Sequence, residues 1–134
     1  VSIRKTEINK AKSLLRQIYR IEHGEVCQIC LRRKAKRLGL FHIMNVGAYP
    51  RLELFRENIL WACWYPCHNT WHQDFWKARR IADRIAQIKG RQTWEEVEQE
   101  LQIANGIIGP LKLIHIQVIQ EKWREELKIL RGKI

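Results

Sequence analysis

Four cysteines constrain this chain more than any other feature: Cys27 and Cys30 form a C-x2-C pair, and Cys63 and Cys67 a C-x3-C pair. Sulfurs that close in sequence can bind one ion together, and two such pairs complete a tetrahedral Zn(Cys)4 site. The fold must therefore bring 27–30 against 63–67. No charged-then-apolar leader opens the chain, so disulfides are disfavoured and a structural Zn2+ is the better reading. The second pair is one residue longer than the commonest spacing, which loosens the geometry without excluding it. Reduced, partly buried thiols are the plainer alternative.

Length and charge narrow the partners. The 134 residues suit a single domain with a modest core, which a metal would reinforce. No apolar run approaches a membrane span, and the expected location is the cytoplasm. The net charge is +11, and it is unevenly placed. Residues 1–90 carry 18 Lys and Arg against 7 Asp and Glu, whereas 91–134 carry 7 against 7. Long-range attraction to a polyanion follows, with nucleic acid ahead of a membrane surface. A basic surface that only keeps the protein soluble is the weaker alternative.

Periodicity supplies the elements. Ile8, Ala11, Leu14, Leu15, Ile18 and Tyr19 predict a helix over 6–20, capped by Ser2 or Thr6. LFHIM at 40–44 reads as a strand, NVGAYPR at 45–51 as a loop, and LELF as a short strand or turn. A helix starting near Cys67 or His68 continues through Phe75, Ala78, Ile81, Ala82, Ile85 and Ile88, and Gly90 stops it. Thr93 and Glu96 form a capping box for a short helix, with NGIIGPLK as a break after it. A last amphipathic helix over 111–131 uses Leu111, Ile114, Val118, Ile119, Trp123, Leu127 and Leu130. Its apolar face suits packing at home or a homodimer.

The order is then Cys-x2-Cys, a strand with His42, a loop, Asn58 sixteen residues later, Cys-x3-Cys, and a helix with His68 and His72. In this order, and in the stretches YRIEHGEVCQIC, FHIMN and RLELFRENILWACWYPCHN, the chain resembles an HNH endonuclease of the ββα-metal type. Within that group it is most similar to the phage NinG (Rap) recombination endonucleases, over roughly 15–130. The resemblance implies an α+β fold: an HNH ββα-metal core with a four-cysteine zinc site, flanked by N- and C-terminal helices. Residues 1–20 would be the N-terminal helix, 21–90 the zinc-stabilised core and 91–134 a helical extension, all in one domain. It implies a hydrolase cutting DNA, duplex or branched, in a bacterial cell or phage-infected host. His42 would be the general base and Asn58 would hold the loop or orient His42. His68 and His72 would hold a catalytic divalent ion, Mg2+, Mn2+, Ni2+ or Zn2+.

Elementary chemistry fits those roles. An imidazole titrates where a general base must, a divalent ion supplies positive charge to a phosphodiester, and an i,i+4 histidine pair presents two nitrogens together. One position departs from the pattern: many HNH enzymes place an acid or histidine directly before the base, and here Phe41 stands there. The metal is then held by fewer protein ligands, or Glu57 or Asn58 contributes, or the protein is a zinc module that binds DNA or another protein without cutting. RNA is a third possible substrate, since nothing here reads a 2′-hydroxyl.

Two basic groups flank the motif. Arg32, Arg33, Lys34, Lys36 and Arg37 lie between the first cysteine pair and the strand, and Arg79, Arg80 and Arg84 follow the histidines. Both would position phosphates without reading sequence. Trp61, Trp64, Trp71 and Trp76 crowd the same region, where packing is the default and base stacking the alternative.

Overall fold

The computed structural model describes residues 2–35, 37–73 and 75–133. Its element order is α1 (Ile3–His23), β1 (Leu38–His42), β2 (Ile59–Cys63), α2 (Asn69–Gln73), α3 (Phe75–Ile88), α4 (Trp94–Ile107) and α5 (Leu113–Gly132). The class is α+β, with one two-stranded antiparallel sheet. No helix among the described residues is long and apolar enough to cross a membrane. The chain forms two compact units, one of 1–24 with 110–134 and one of 25–109. The stretch 91–134 is thus shared, α4 belonging to the second unit and α5 to the first.

In the first unit α1 and α5 run parallel. Arg4 Nε donates to Leu111 O at 2.8 Å near one end, and Arg131 Nη2 to Gln17 Oε1 at 2.7 Å near the other. Ser2 caps α1, its Oγ accepting from Lys5 N at 3.1 Å. Ile8, Ala11, Leu15, Ile18 and Tyr19 are the buried residues of α1. On α5 the buried residues are Ile116, Gln120, Trp123 and Leu127, whereas Ile114 and Val118 are exposed. The face expected through Ile114 and Val118 is therefore rotated. Gln120 takes an interior position because its Nε2 donates to Glu7 O at 2.8 Å and Glu7 Oε2 at 2.7 Å, which satisfies a buried amide.

The second unit is built on the β1–β2 hairpin. Leu38 pairs with Cys63, Leu40 with Trp61, and His42 with Ile59. The strand expected at 40–44 begins two residues earlier and ends at His42. Every residue of β2 is buried, and Phe41, Ile43, Leu60 and Ala62 join Ile81, Ile85, Val97 and Leu101 in one core. LELF forms no strand; residues 50–52 and 56–58 are 3-10 turns. A wide turn, Trp64–His68, precedes α2, so regular helix starts at Asn69 rather than at Cys67 or His68. α3 buries Ile81, Ala82, Ile85 and Ala86, in keeping with the expected face; the side chain of Phe75 lies outside the description. Thr93 caps α4 by accepting from Glu96 N at 3.3 Å. That helix runs on through Asn105 and Gly106 to Ile107, further than the glycine suggested. One glycine costs a helix only about 1 kcal/mol, and Val97 and Leu101 anchor this one in the core.

Candidate metal centre and histidine cluster

The two cysteine pairs meet. All four sulfurs lie within 4.8 Å of one another, the only group of three or more potential metal ligands so close among the described residues. Cys27 and Cys67 sulfurs are 3.8 Å apart, as are those of Cys30 and Cys63. A zinc–sulfur bond of about 2.3 Å gives a tetrahedron with edges of about 3.8 Å, so the donor set fits Zn2+ in size as well as chemistry. Cys27, Cys63 and Cys67 are buried and Cys30 is exposed.

Local structure explains the meeting. The first pair sits in a tight knuckle: Leu31 N donates to Cys27 O at 2.9 Å and Cys30 N approaches Cys27 Sγ at 3.5 Å. Leu31 closes it in the left-handed region, at φ 61°. The second pair begins on the last residue of β2, and Cys63 N donates to Cys27 Sγ at 3.3 Å. Gln28 fastens the knuckle to the sheet, its Oε1 accepting from Trp61 N at 2.7 Å and its backbone N donating to Trp61 O at 2.9 Å.

Electrostatics also ask for a cation. The hydrogen bond shared with Cys67 is the main cause holding Cys27 below the usual thiol value, with amides of Cys30, Cys63 and Ile29 adding to it. Burial pushes Cys63 up to about 11, and Cys67 is raised by its bond with Cys27 and by burial. Four thiolates cannot share so small a space without a counter-charge, and a divalent ion reverses the penalty.

Three histidines gather beside this cluster. The His68 and His72 rings are 5.1 Å apart, centroid to centroid. Burial drives the pKa of His68 down to about 4, and the nearby charges of His72 and then His42 act the same way. His68 is therefore neutral at pH 7, as a metal ligand must be. Its ring is flanked by Trp64 at 4.4 Å and, edge to face, by Phe41 at 5.5 Å. The position before His42 thus carries a fully buried phenyl group against His68 instead of an oxygen or nitrogen donor.

His42 ends β1 and its Nε2 lies 2.9 Å from Glu53 O. A carbonyl only accepts, so Nε2 carries the proton and Nδ1 is the basic nitrogen. Asn58 is fully buried at 0% exposure. Its Oδ1 accepts from Met44 N at 2.7 Å, and its Nδ2 donates to Met44 O at 3.2 Å and Leu52 O at 3.3 Å. Its side chain bonds the loop backbone, and it fixes Leu52 next to the residue whose carbonyl orients His42. Trp71 braces the other side: its Nε1 donates to Ile43 O at 3.0 Å and its ring meets Trp94 at 5.2 Å.

The basic residues divide. Arg32, Arg33, Lys34, Arg37 and Arg80 are exposed; Lys36 lies outside the described residues. Arg79 is exposed but paired with Glu95 at 3.0 Å and Asp83 at 3.3 Å. Arg84 is engaged with the zinc knuckle: Nη2 donates to Gln28 O at 3.1 Å and Nε to Ile29 O at 3.2 Å. Its sequence neighbours gave no sign of this, because the knuckle it clamps is more than fifty residues away. Trp61 is buried in the core, whereas Trp64 and Trp76 are exposed.

A comparison of the chain with family models, curated proteins and solved structures finds no match to any of them.

Proposed function

We propose that the protein is a metal-dependent endonuclease of the HNH type, with DNA as substrate and branched or recombination DNA as the form the family resemblance implies. The reading rests chiefly on His42: its protonated Nε2 is oriented by Glu53 O, next to His68 and His72. His68 and His72 are the residues that would hold a divalent ion, with phosphate and water completing its shell. When bound, such an ion supplies positive charge to the phosphoryl group and the leaving oxygen.

His42 Nδ1 takes a proton from a water molecule as its oxygen bonds to phosphorus. The phosphorus–oxygen bond to one sugar breaks, and the departing oxygen takes a proton from solvent. Asn58 is a positioning residue that acts through the 44–53 loop. Exposed cations on the knuckle loop, Arg32, Arg33, Lys34 and Arg37, are suited to hold phosphates on the flank of the site.

The test is nicking of plasmid and branched DNA with Mg2+, Mn2+, Ni2+ and Zn2+ supplied in turn. His42→Ala is expected to abolish cleavage while zinc content and DNA affinity stay near wild type; retained cleavage overturns the base assignment. His72→Ala is expected to raise the concentration of added metal needed, leaving the structural zinc in place.

Phe41 favours one second reading, a zinc module that binds DNA or a protein without cutting it. Its ring occupies the place where relatives of the HNH pattern carry a ligand. No cleavage with any metal, together with tight and salt-sensitive DNA binding, is the result that selects it.

A further inference from the structure

A groove of about 340 Å³ runs beside the cysteine cluster, lined by Arg32, Lys34, Ala35, Arg37, Trp64 and Tyr65. Its two walls are the segment that follows the first cysteine pair and the residues enclosed by the second. Trp64 N donates to Arg37 O at 3.0 Å, and Cys27 N to Arg32 O at 3.2 Å, so the walls are tied to each other and to the knuckle. Among the described residues lining it are three cations and no carboxylate. Trp64 is 52% exposed and Tyr65 70% exposed, although a domain short of core would ordinarily bury both. The Trp64 and His68 rings lie 4.4 Å apart, centroid to centroid, at 35°, so one face of Trp64 packs on His68 and the indole stands between the groove and the histidine cluster.

We infer that this groove binds an unpaired nucleotide of the DNA strand, its base stacked on Trp64 or Tyr65 and its phosphates on Arg32, Lys34 and Arg37. The proposal rests on the nucleic-acid reading above and deepens it, naming DNA with unstacked bases beside the site as the preferred ligand class. Cations alone serve duplex and single strand alike, because both present phosphates. Exposed aromatic faces set among cations add nothing for a duplex, whose base faces are covered by their neighbours. They add a stacking contact for a base out of the helix, and every base has such a face. With one face of Trp64 against His68, a base stacked on the other face would lie across the indole from the histidine cluster.

The experiment is binding, measured by fluorescence anisotropy on zinc-loaded protein without other divalent ions. Three DNA ligands of equal charge are compared: a fully paired duplex, a duplex with a four-nucleotide gap, and one with a single-stranded flap. The wild type is expected to bind the gapped and flapped forms about five-fold or more tighter than the duplex, the effect of losing or gaining one stacked base. Trp64→Ala and Tyr65→Ala should each shrink that preference, Trp64→Phe should retain most of it, and Trp76→Ala, outside the groove, should leave it unchanged. Arg37→Ala should weaken all three ligands together. Equal affinity of the wild type for all three ligands overturns the proposal. So does a preference that survives in both alanine variants when circular dichroism and zinc content show them folded. Because no cleavage is needed, an inert protein that still prefers gapped DNA refutes the nuclease reading and not this one.

Discussion

Leu31 closes the first zinc knuckle at φ 61°, a region a branched side chain enters at a cost of roughly 1–2 kcal/mol. The side chain is exposed, so its removal leaves no cavity. Leu31→Gly is therefore expected to leave stability unchanged or raise it by up to about 1 kcal/mol, once glycine's extra unfolded-state freedom is subtracted. Urea denaturation of zinc-loaded protein measures this, and a loss of more than 1 kcal/mol contradicts it. Asn58 behaves in the opposite way. Asn58→Ala strands Met44 N, Met44 O and Leu52 O in the interior, and a loss of about 2–5 kcal/mol is expected. A faster-exchanging Met44 amide under native conditions would place the damage in the loop. His42, Asn58, His68, His72 and all four cysteines stood out in the sequence because each type is costly to place without a purpose and their order is informative. The partners that orient them, Glu53 O and Leu52 O, are backbone atoms, and no residue pattern encodes which carbonyl a histidine will meet.

Between elements, the same distinction decides what was legible. Helices α1, α3 and α4 followed from apolar spacing and caps, since a helix face is a local property. The face of α5 did not follow, because Gln120 looks like a surface residue until Glu7 of α1 is beside it. Glu7 is held below the usual carboxylate value of 4.5, first by Gln120 and then by Lys10. A carboxylate whose pKa is lower in the folded state stabilises above its unfolded value of about 4.5 and loses that contribution as pH falls through the folded value. Gln120→Leu should move the Glu7 titration back toward 4.5, as followed by carboxyl NMR; an unmoved titration would mean that the cations Lys10 and Arg124 set it. Arg84 shows the converse, a residue expected on a phosphate-binding face that instead joins α3 to the knuckle. Arg84→Ala is expected to speed zinc transfer to a chelator about ten-fold, the usual scale for groups supporting metal ligands, while Arg80→Ala changes it little. Equal rates in the two variants would show that the clamp is unimportant to the metal.

For the molecule as a whole, the cysteine quartet gathers the knuckle, β2 and the turn into α2 around one point, so an ion held there would be linked to the fold of residues 25–109. One zinc per chain is expected, with four thiols becoming reactive together when a strong chelator is added. Chelation should also abolish the near-ultraviolet signal of Trp61 and Trp71. Stepwise thiol exposure with that signal intact would mean the sulfurs are packed but not bridged. Such a long-range meeting was readable in advance because cysteines in two close pairs leave few alternatives, while the division of the helices between two units was not, since nothing local distinguishes α4 from α5.

The pairing of α1 with α5 means that the first unit cannot close during synthesis until α5 has been made. At roughly 5–20 residues per second, α1 leaves the ribosome on the order of ten seconds before α5 does, with Leu15, Ile18 and Tyr19 still lacking their partner helix. Residues 25–109 are contiguous and have their own core, so they can close around zinc during that interval. The nascent helix is the segment that a chaperone would hold, and the emergence of α5 is what releases it.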